Sequence, residues 1–143
     1  MATCSFFGHR IVTQKIEPLL TAIIVDLIEN YAVDTFLVGN QGGFDGMVKS
    51  KLIEIKQKYT HIKYSVVLAY LPAKKYQDFD FSDTVYPSVL DGVPPRARII
   101  CRNDWMIKKS DFVVTYVTHN VGGAAEAREK AEKKGKKVIN ISF

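Results

Sequence analysis

The sequence predicts a three-layer α/β fold with a mostly parallel sheet of about five strands. Short apolar runs alternate with helical stretches along the whole chain. Several of these runs are almost continuously apolar, as in parallel strands that helices cover on both faces. The chain has 143 residues, which is enough for one domain and too few for two ordinary ones. We therefore expect one domain over residues 1–143, with the first strand at the centre of the sheet.

The first half of the chain predicts an alternation of strands and helices. Residues 3–7 form a short β-type run that Gly8 ends. Apolar residues then recur at the i, i+3, i+4, i+7 spacing over residues 16–28, which predicts an amphipathic helix. Strands at residues 35–38 and 64–71 and a helix at about residues 44–58 complete this half.

The second half opens with a long loop. Residues 73–95 lack periodicity and contain Pro87, Pro94 and Pro95. Loops of this length inside a compact domain are usually functional or mobile. Gly135 stands where a glycine that ends a helix is expected. The remaining predicted elements are helices at residues 96–109 and 122–134 and strands at residues 111–117 and 138–141.

The composition excludes several classes of protein. An apolar content of 47% and a charged content of 24% are typical of globular proteins and not of disordered chains. The apolar stretch at residues 18–25 lies between Glu17 and Asp26 and is far shorter than the ~20 residues that a membrane span needs. The start of the chain lacks the apolar run of a signal peptide. We therefore expect a soluble cytoplasmic protein with no membrane partner.

Neither a disulfide scaffold nor a metal site is expected. Cys4 and Cys101 stand among apolar neighbours, which favours buried, reduced thiols. His9, His61 and His119 lack the spacing of metal ligands. We therefore predict neither a metal nor a resident cofactor.

The residues of most chemical interest follow the predicted strands, whose carboxyl ends form the ligand-binding edge of open α/β sheets. The first strand ends in Gly8-His9-Arg10, and glycine-rich turns at residues 39–45 and 118–123 run directly into helices. Glycine lets backbone N–H groups approach a phosphate closely, and a helix N-terminus adds partial positive charge. We therefore predict an anion site, although each turn alone is equally explained by a tight connection that needs positive φ. The spacing matches neither G-x-G-x-x-G nor a Walker loop.

Further candidates lie near these turns. Arg102 can hold a phosphate or a carboxylate with two parallel hydrogen bonds, and Trp105 either stacks on a base or packs inward. Asp45 either accepts a ribose hydroxyl or caps the second helix. The loop residues that either cover a base or pack the loop down are Tyr76, Phe79, Phe81, Asp83 and Tyr86.

Four segments, in their order along the chain, resemble the SLOG superfamily. They are Gly8-His9-Arg10, the turn at residues 39–45, Arg102-Asn103-x-x-Met106 and Gly122-Gly123. This Rossmann-like superfamily includes the LOG-type nucleoside-monophosphate phosphoribohydrolases, the Smf/DprA proteins and nucleotide-sensing domains. The resemblance is greatest to small, stand-alone bacterial members and covers nearly the whole chain. It implies a Rossmann-like fold, a nucleotide-type ligand and a homodimer.

The resemblance also implies a catalytic pair. LOG-type enzymes carry an R-K-x-x-M segment, where Asn103 here replaces the lysine, and a later P-G-G-x-G-T-x-x-E segment. Glu129 falls on the glutamate position of the later segment, whereas Ala125 and Glu126 replace its third glycine and its threonine. Arg102 and Glu129 would then cleave an N-glycosidic bond, with the carboxylate stabilising an oxocarbenium-like centre or activating a water. Glu129 is equally typical of a solvated helix surface that pairs with lysine.

We expect the protein to bind a nucleoside monophosphate or an ADP-ribose- or NAD-type metabolite, with phosphates on the two glycine turns. One alternative is hydrolysis of such a nucleotide to base and ribose phosphate. Another is a nucleic-acid or protein interaction module, favoured by the net charge of +5 and the lysine-rich residues 130–137. Whether the protein is an enzyme is left open. The predicted ligand-binding residues are Gly8, His9, Arg10, Gly39, Gln41, Gly42, Gly43, Asp45, Asn103, Met106, Gly122, Gly123 and Ala124.

Overall fold

A computed structural model describes residues 2–71 and 82–142 of the chain. In this part of the chain, four α-helices cover a sheet of six strands, all paired in parallel. The predicted α/β fold is confirmed, with one strand more than expected. The strands are β1 (Ala2–Gly8), β2 (Val33–Val38), β3 (Lys63–Val67), β4 (Thr84–Val85), β5 (Phe112–Tyr116) and β6 (Lys137–Asn140). The helices are α1 (Glu17–Tyr31), α2 (Gly43–Lys58), α3 (Arg98–Lys109) and α4 (Gly123–Lys133).

The strand order is β4-β3-β2-β1-β5-β6, so β1 lies inside the sheet between β2 and β5. The chain builds outwards from β1 as far as β4 and then returns to place β5 on the other side of β1. Such a reversal leaves a crevice at the carboxyl ends of the two strands, where open α/β sheets bind ligands. The predicted inner position of the first strand is confirmed.

Each face of the sheet has its own apolar cluster. On one face, α1 and α2 pack onto strand residues that include Phe6 and Phe36, whose rings stack with centroids 6.0 Å apart. On the other face, Met106 of α3 and Ala127 of α4 pack with Val113 of β5. Every residue of β5 is buried, as expected of a parallel strand with helices on both sides.

The additional strand lies in the segment that was predicted as a loop. β4 pairs with β3 at Val66 and Val67, and the Val66 N–H donates to the Asp83 carbonyl oxygen at 2.7 Å. A strand of two residues shows no periodicity, so the sequence pattern gives no sign of it. The third strand was also predicted too long, since β3 ends at Val67 and not at residue 71.

Two residues of this segment, Asp83 and Tyr86, pack it against the rest of the domain. Of the two roles predicted for them, covering a base or packing the loop down, they take the second. Asp83 forms an ion pair with Lys49 at 3.6 Å. The ring of Tyr86 packs against the apolar cluster on the α1 and α2 face. The other three residues of that set, Tyr76, Phe79 and Phe81, lie outside the described residues.

Cys4 and Cys101 are free thiols. Cys4 is fully buried, and this burial raises the pKa of its thiol far above the ordinary value. Cys101, on α3, is only half-buried. Within residues 2–71 and 82–142, no helix is long and apolar enough to cross a membrane, and no group of three or more His, Cys, Asp or Glu side chains is placed to hold a metal ion.

Candidate functional site

A cavity of about 700 Å³ opens at the carboxyl ends of β1 and β5, where the strand order reverses. It is lined by the segment after β1, the adjacent turn between β5 and α4, the turn after β2 and residues of α3. Most of the predicted ligand residues therefore lie around one cavity. Those that line it are Gly8, His9, Arg10, Gly39, Gln41, Asp45, Arg102, Asn103, Met106, Gly122, Gly123 and Ala124.

Arg102, on α3, lines the cavity and is only 3% exposed. Its Nε and Nη2 atoms donate to the Asn103 Oδ1 atom at 3.1 and 3.0 Å, and its Nη1 atom donates to the Val67 carbonyl oxygen at 3.3 Å. A guanidinium has more N–H groups than these bonds use. The buried cation is therefore held in one orientation with donors left for an anion in the cavity.

Asp45, in the first turn of α2, is buried close to Arg102. Its Oδ2 atom accepts a hydrogen bond from the Gln41 N–H at 2.9 Å, which ties down the turn before the helix. Burial raises the pKa of Asp45 to about 6, although the Gln41 hydrogen bond and the Arg102 charge both lower it. Asp45 thus fixes the start of α2, and its contact with a ribose hydroxyl stays a prediction.

Gly39, directly after β2, lies between these two charged groups. A Cβ atom at this position would be 2.7 Å from Arg102 Nη1 and 2.9 Å from Asp45 Oδ2. Separations this short do not occur between a Cβ atom and its neighbours in real structures. A larger residue here would therefore displace the guanidinium of Arg102 or the carboxylate of Asp45.

Gly42 and Gly43, directly before and at the start of α2, are closed off from the cavity, although other residues of the same turn line it. Gly42 has a φ of 101°, and the Gly43 N–H donates to the Arg10 carbonyl oxygen at 2.7 Å. A Cβ atom on Gly43 would lie 2.5 Å from the same oxygen. The Arg10 backbone therefore occupies the place where the sequence predicts a phosphate, and neither glycine lines the cavity. The alternative explanation, a tight turn that needs positive φ, describes this segment.

The turn before α4 is open to the cavity. Gly122, with a φ of 105°, directly precedes the helix. Apart from their chain neighbours and the backbone of the helix itself, no atom of the described residues lies within 4 Å of a Cβ atom built on Gly122 or Gly123. Both glycines line the cavity with Ala124. Because the first N–H groups of a helix lack partners within it and form the positive end of its dipole, this turn can receive an anion.

Two histidines stack on one another beside this turn. The ring centroids of His9 and His119 are 3.9 Å apart, and the ring planes differ by 6°. His9 Nε2 accepts a hydrogen bond from the Thr118 N–H at 2.9 Å, so this nitrogen carries no proton. Burial lowers the pKa of His9, and the proximity of His119 lowers it further. His119 lines the cavity but was not predicted, because only the pairing of β1 with β5 brings it to His9.

Glu129 does not line the cavity. Ala127 and Ala131 of α4 are buried against the sheet, so Glu129 between them faces solvent, where its carboxylate pairs with Lys133 at 3.1 Å. A solvated glutamate paired with a lysine one turn away is the alternative to a catalytic role that the sequence offers for Glu129. The structure therefore does not bring Glu129 together with Arg102, its predicted catalytic partner.

Trp105 takes the inward-packing alternative. Its ring packs against the apolar cluster on the α3 and α4 face, and the Lys109 ammonium lies 5.2 Å from the ring centroid. It is therefore not a stacking surface for a base in this cavity. Two largely exposed apolar residues also line the cavity without having been predicted: Ile11, which is 89% exposed, and Val121, which is 74% exposed. Their only sequence signal is a branched apolar side chain within an otherwise polar connection.

The fold and the cavity define an open α/β domain with a cavity where the order of its parallel strands reverses. DNA processing protein A (DprA) from Streptococcus pneumoniae has the same fold, with a TM-score of 0.72 and 17% sequence identity over 100% of this chain and 51% of that chain. DprA from Helicobacter pylori, in a structure that describes its single-stranded DNA binding mode, gives a TM-score of 0.70 and 15% identity over 99% of this chain and 66% of that chain.

These likenesses confirm the Rossmann-like fold that the resemblance to the Smf/DprA proteins implied. The chain spans about half of the length of the first DprA chain and just under two thirds of the second. No family model matches the sequence, and no curated protein matches it.

Proposed function

We propose that the cavity binds a nucleotide unit, with a phosphate at the N-terminus of α4. The observation that carries this proposal is the open turn at Gly122 and Gly123, which lines the same cavity as the Arg102 guanidinium. Helix N-terminal N–H groups and oriented guanidinium groups are typical phosphate ligands in proteins. Arg10, exposed at the rim, adds a further positive charge.

The nucleotide unit has two candidate sources. The cavity volume of about 700 Å³ is within the range of small-molecule sites and favours a free nucleotide. The fold shared with H. pylori DprA, for which single-stranded DNA binding is described, and the net charge of +5 favour a single strand. Of the two, single-stranded DNA has the support of the comparisons.

Binding of adenosine monophosphate and of a labelled oligothymidylate, measured by calorimetry and fluorescence anisotropy, tests the proposal and separates the sources. An affinity that rises with oligonucleotide length and falls steeply with salt indicates a single strand. Equal affinities for the mononucleotide and the oligonucleotide indicate a free nucleotide.

Two substitutions test the phosphate position. Arg102→Gln removes the buried cation, and Ala124→Asp places a negative charge in the first turn of α4. Each is expected to weaken binding roughly 10-fold or more, as is typical when a charge-assisted hydrogen bond is lost. Arg96→Gln is the matched control, because Arg96 is exposed and lies outside the cavity lining. Wild-type affinity in both cavity variants would overturn the proposal.

Hydrolysis of the nucleotide stays a prediction, and the position of Glu129 away from the cavity gives it no support. The homodimer implied by the family resemblance also stays a prediction. Light scattering of the purified chain tests it directly.

A further inference from the structure

The stacked histidines form a flat surface at one side of the cavity. His9 is half-buried and His119 is exposed, so the ring face of His119 that is turned away from His9 is accessible. The near-parallel planes and the 3.9 Å centroid separation show that the two rings lie face to face.

The hydrogen bond to His9 holds this surface in place. The Thr118 N–H donates to His9 Nε2, which fixes the plane of the inner ring. The backbone of His9 is held as well, because its N–H donates to the Tyr116 carbonyl oxygen at 3.2 Å. The His119 ring lies against a partner that is fixed at two points, so little entropy is lost when a third ring is added.

Apolar side chains accompany the stack. Val121 is 74% exposed and Ile11 is 89% exposed, yet both line the cavity on the two connections that carry the histidines. Large exposed apolar groups within a ligand cavity are typical of contacts with the apolar part of a ligand. The open helix turn at Gly122 lies three positions beyond His119 in the same connection.

From this arrangement we infer that the outer face of the His119 ring is the platform on which the base of the bound nucleotide stacks, with Val121 and Ile11 at the edges of the base. The inference rests on the proposed function, since it assigns the base to the ring stack while the phosphate is at the α4 turn. Nucleobases stack on histidine as on other aromatic side chains, and the contact tolerates every base because each has a π-face.

The test compares ligands that differ only in the presence of a base. Adenosine monophosphate and ribose 5-phosphate share the phosphate and the sugar, so the ratio of their affinities measures the contribution of the base. A stacked base is expected to raise this ratio by about 5- to 150-fold. We expect His119→Ala to bring the ratio close to one and His119→Phe, which keeps a planar ring, to preserve it.

His61→Ala is the matched control, because His61 is exposed and outside the cavity lining. An unchanged ratio in His119→Ala, with ribose 5-phosphate still bound, would overturn the inference and leave the proposed function in place. If the wild-type protein binds neither of these ligands nor the oligothymidylate, the inference and the proposed function are overturned together. An upfield shift of the base protons in the nuclear magnetic resonance spectrum of the complex, absent in His119→Ala, would support the stacked base independently.

Discussion

Arg102 is oriented by the side chain of its own chain neighbour: the Asn103 Oδ1 atom accepts hydrogen bonds from both Nε and Nη2 of the guanidinium, at 3.1 and 3.0 Å. In the LOG-type segment that this region resembles, a lysine stands at the position of Asn103. A lysine has no acceptor atom and would add a second positive charge. The asparagine therefore supplies an acceptor that, together with the Val67 carbonyl oxygen, holds the arginine in place.

Asn103→Ala is accordingly expected to destabilise the fold by about 1–3 kcal/mol, because donors of a buried cation lose their acceptor. Urea denaturation measures this change. Asn103→Asp keeps an acceptor and is expected to retain stability, while its negative charge lowers nucleotide affinity. Asn30→Ala is the control, since Asn30 is exposed and bonds only to Asp26 in the described residues. Equal stability of Asn103→Ala and Asn30→Ala would contradict this account of Arg102.

Asp45 makes the stability depend on pH in the opposite sense to an ordinary ion-paired carboxylate. Its pKa is about 6 in the folded protein and 3.8 for an unperturbed aspartate, so the folded state binds more protons between these values. The free energy of unfolding contributed by this group therefore falls as the pH rises from about 4 to about 6. At neutral pH the charged form costs on the order of 2–3 kcal/mol.

Replacement by asparagine removes this titration. The Asp45→Asn protein is expected to lose this component of the pH dependence and to be more stable than the wild type at pH 7, in chemical denaturation measured from pH 4 to pH 7. The opposite result would be a free energy of unfolding that rises with pH for the wild type relative to Asp45→Asn. It would show that Arg102 stabilises the carboxylate more than burial destabilises it.

Two glycines of neighbouring segments offer a matched pair of substitutions. Gly39→Ala introduces a methyl group 2.7 Å from the Arg102 guanidinium, which forces the cation or Asp45 to move. We expect a loss of about 1–3 kcal/mol in stability and a clear loss of nucleotide affinity. Gly46→Ala, in α2, meets no atom within 4 Å among the described residues and is expected to stabilise the helix by about 1 kcal/mol. Thermal unfolding measures both effects. The melting temperature is expected to fall for Gly39→Ala and to rise for Gly46→Ala.

Glu129→Gln tests the hydrolase hypothesis. Because Glu129 faces solvent and pairs with Lys133, the substitution is expected to leave nucleotide affinity unchanged and to cost well under ~1 kcal/mol in stability, as exposed pairs do. Mass spectrometry of a nucleotide panel incubated with each protein provides the measurement. Release of free base by the wild type and not by Glu129→Gln would restore the catalytic role that the family resemblance implies.

The sequence predicts the layers of this fold well because long, periodic elements carry their own signal. The spacing of apolar residues in α1 and the buried runs of β1 and β5 are visible without the structure. β4 is invisible, since its two residues are held by pairing with β3 and not by any local pattern.

The candidate site is also predicted only in part by the sequence. The motif order identifies the connections around the cavity, but it cannot separate the closed turn at Gly43 from the open turn at Gly122, because the difference is the position of the Arg10 backbone. The approach of His119 to His9 and the exposure of Glu129 likewise depend on strand pairing and on helix rotation. Local residue types therefore predict which connections surround the cavity, and tertiary contacts decide which of their residues line it.

The pairing of β1 with β5 joins segments that are far apart in the chain: His9 and Thr118, which share a hydrogen bond, are separated by 109 positions. β1 is synthesised well before β5, so one side of β1 stays unpaired until the elements between the two strands have been made. Contacts between such distant segments form late, because the chain loses the entropy of closing a long loop before these contacts stabilise it. The cavity, which has these strands as its walls, is therefore completed near the end of folding, and a bound nucleotide is expected to slow unfolding and to leave the folding rate almost unchanged.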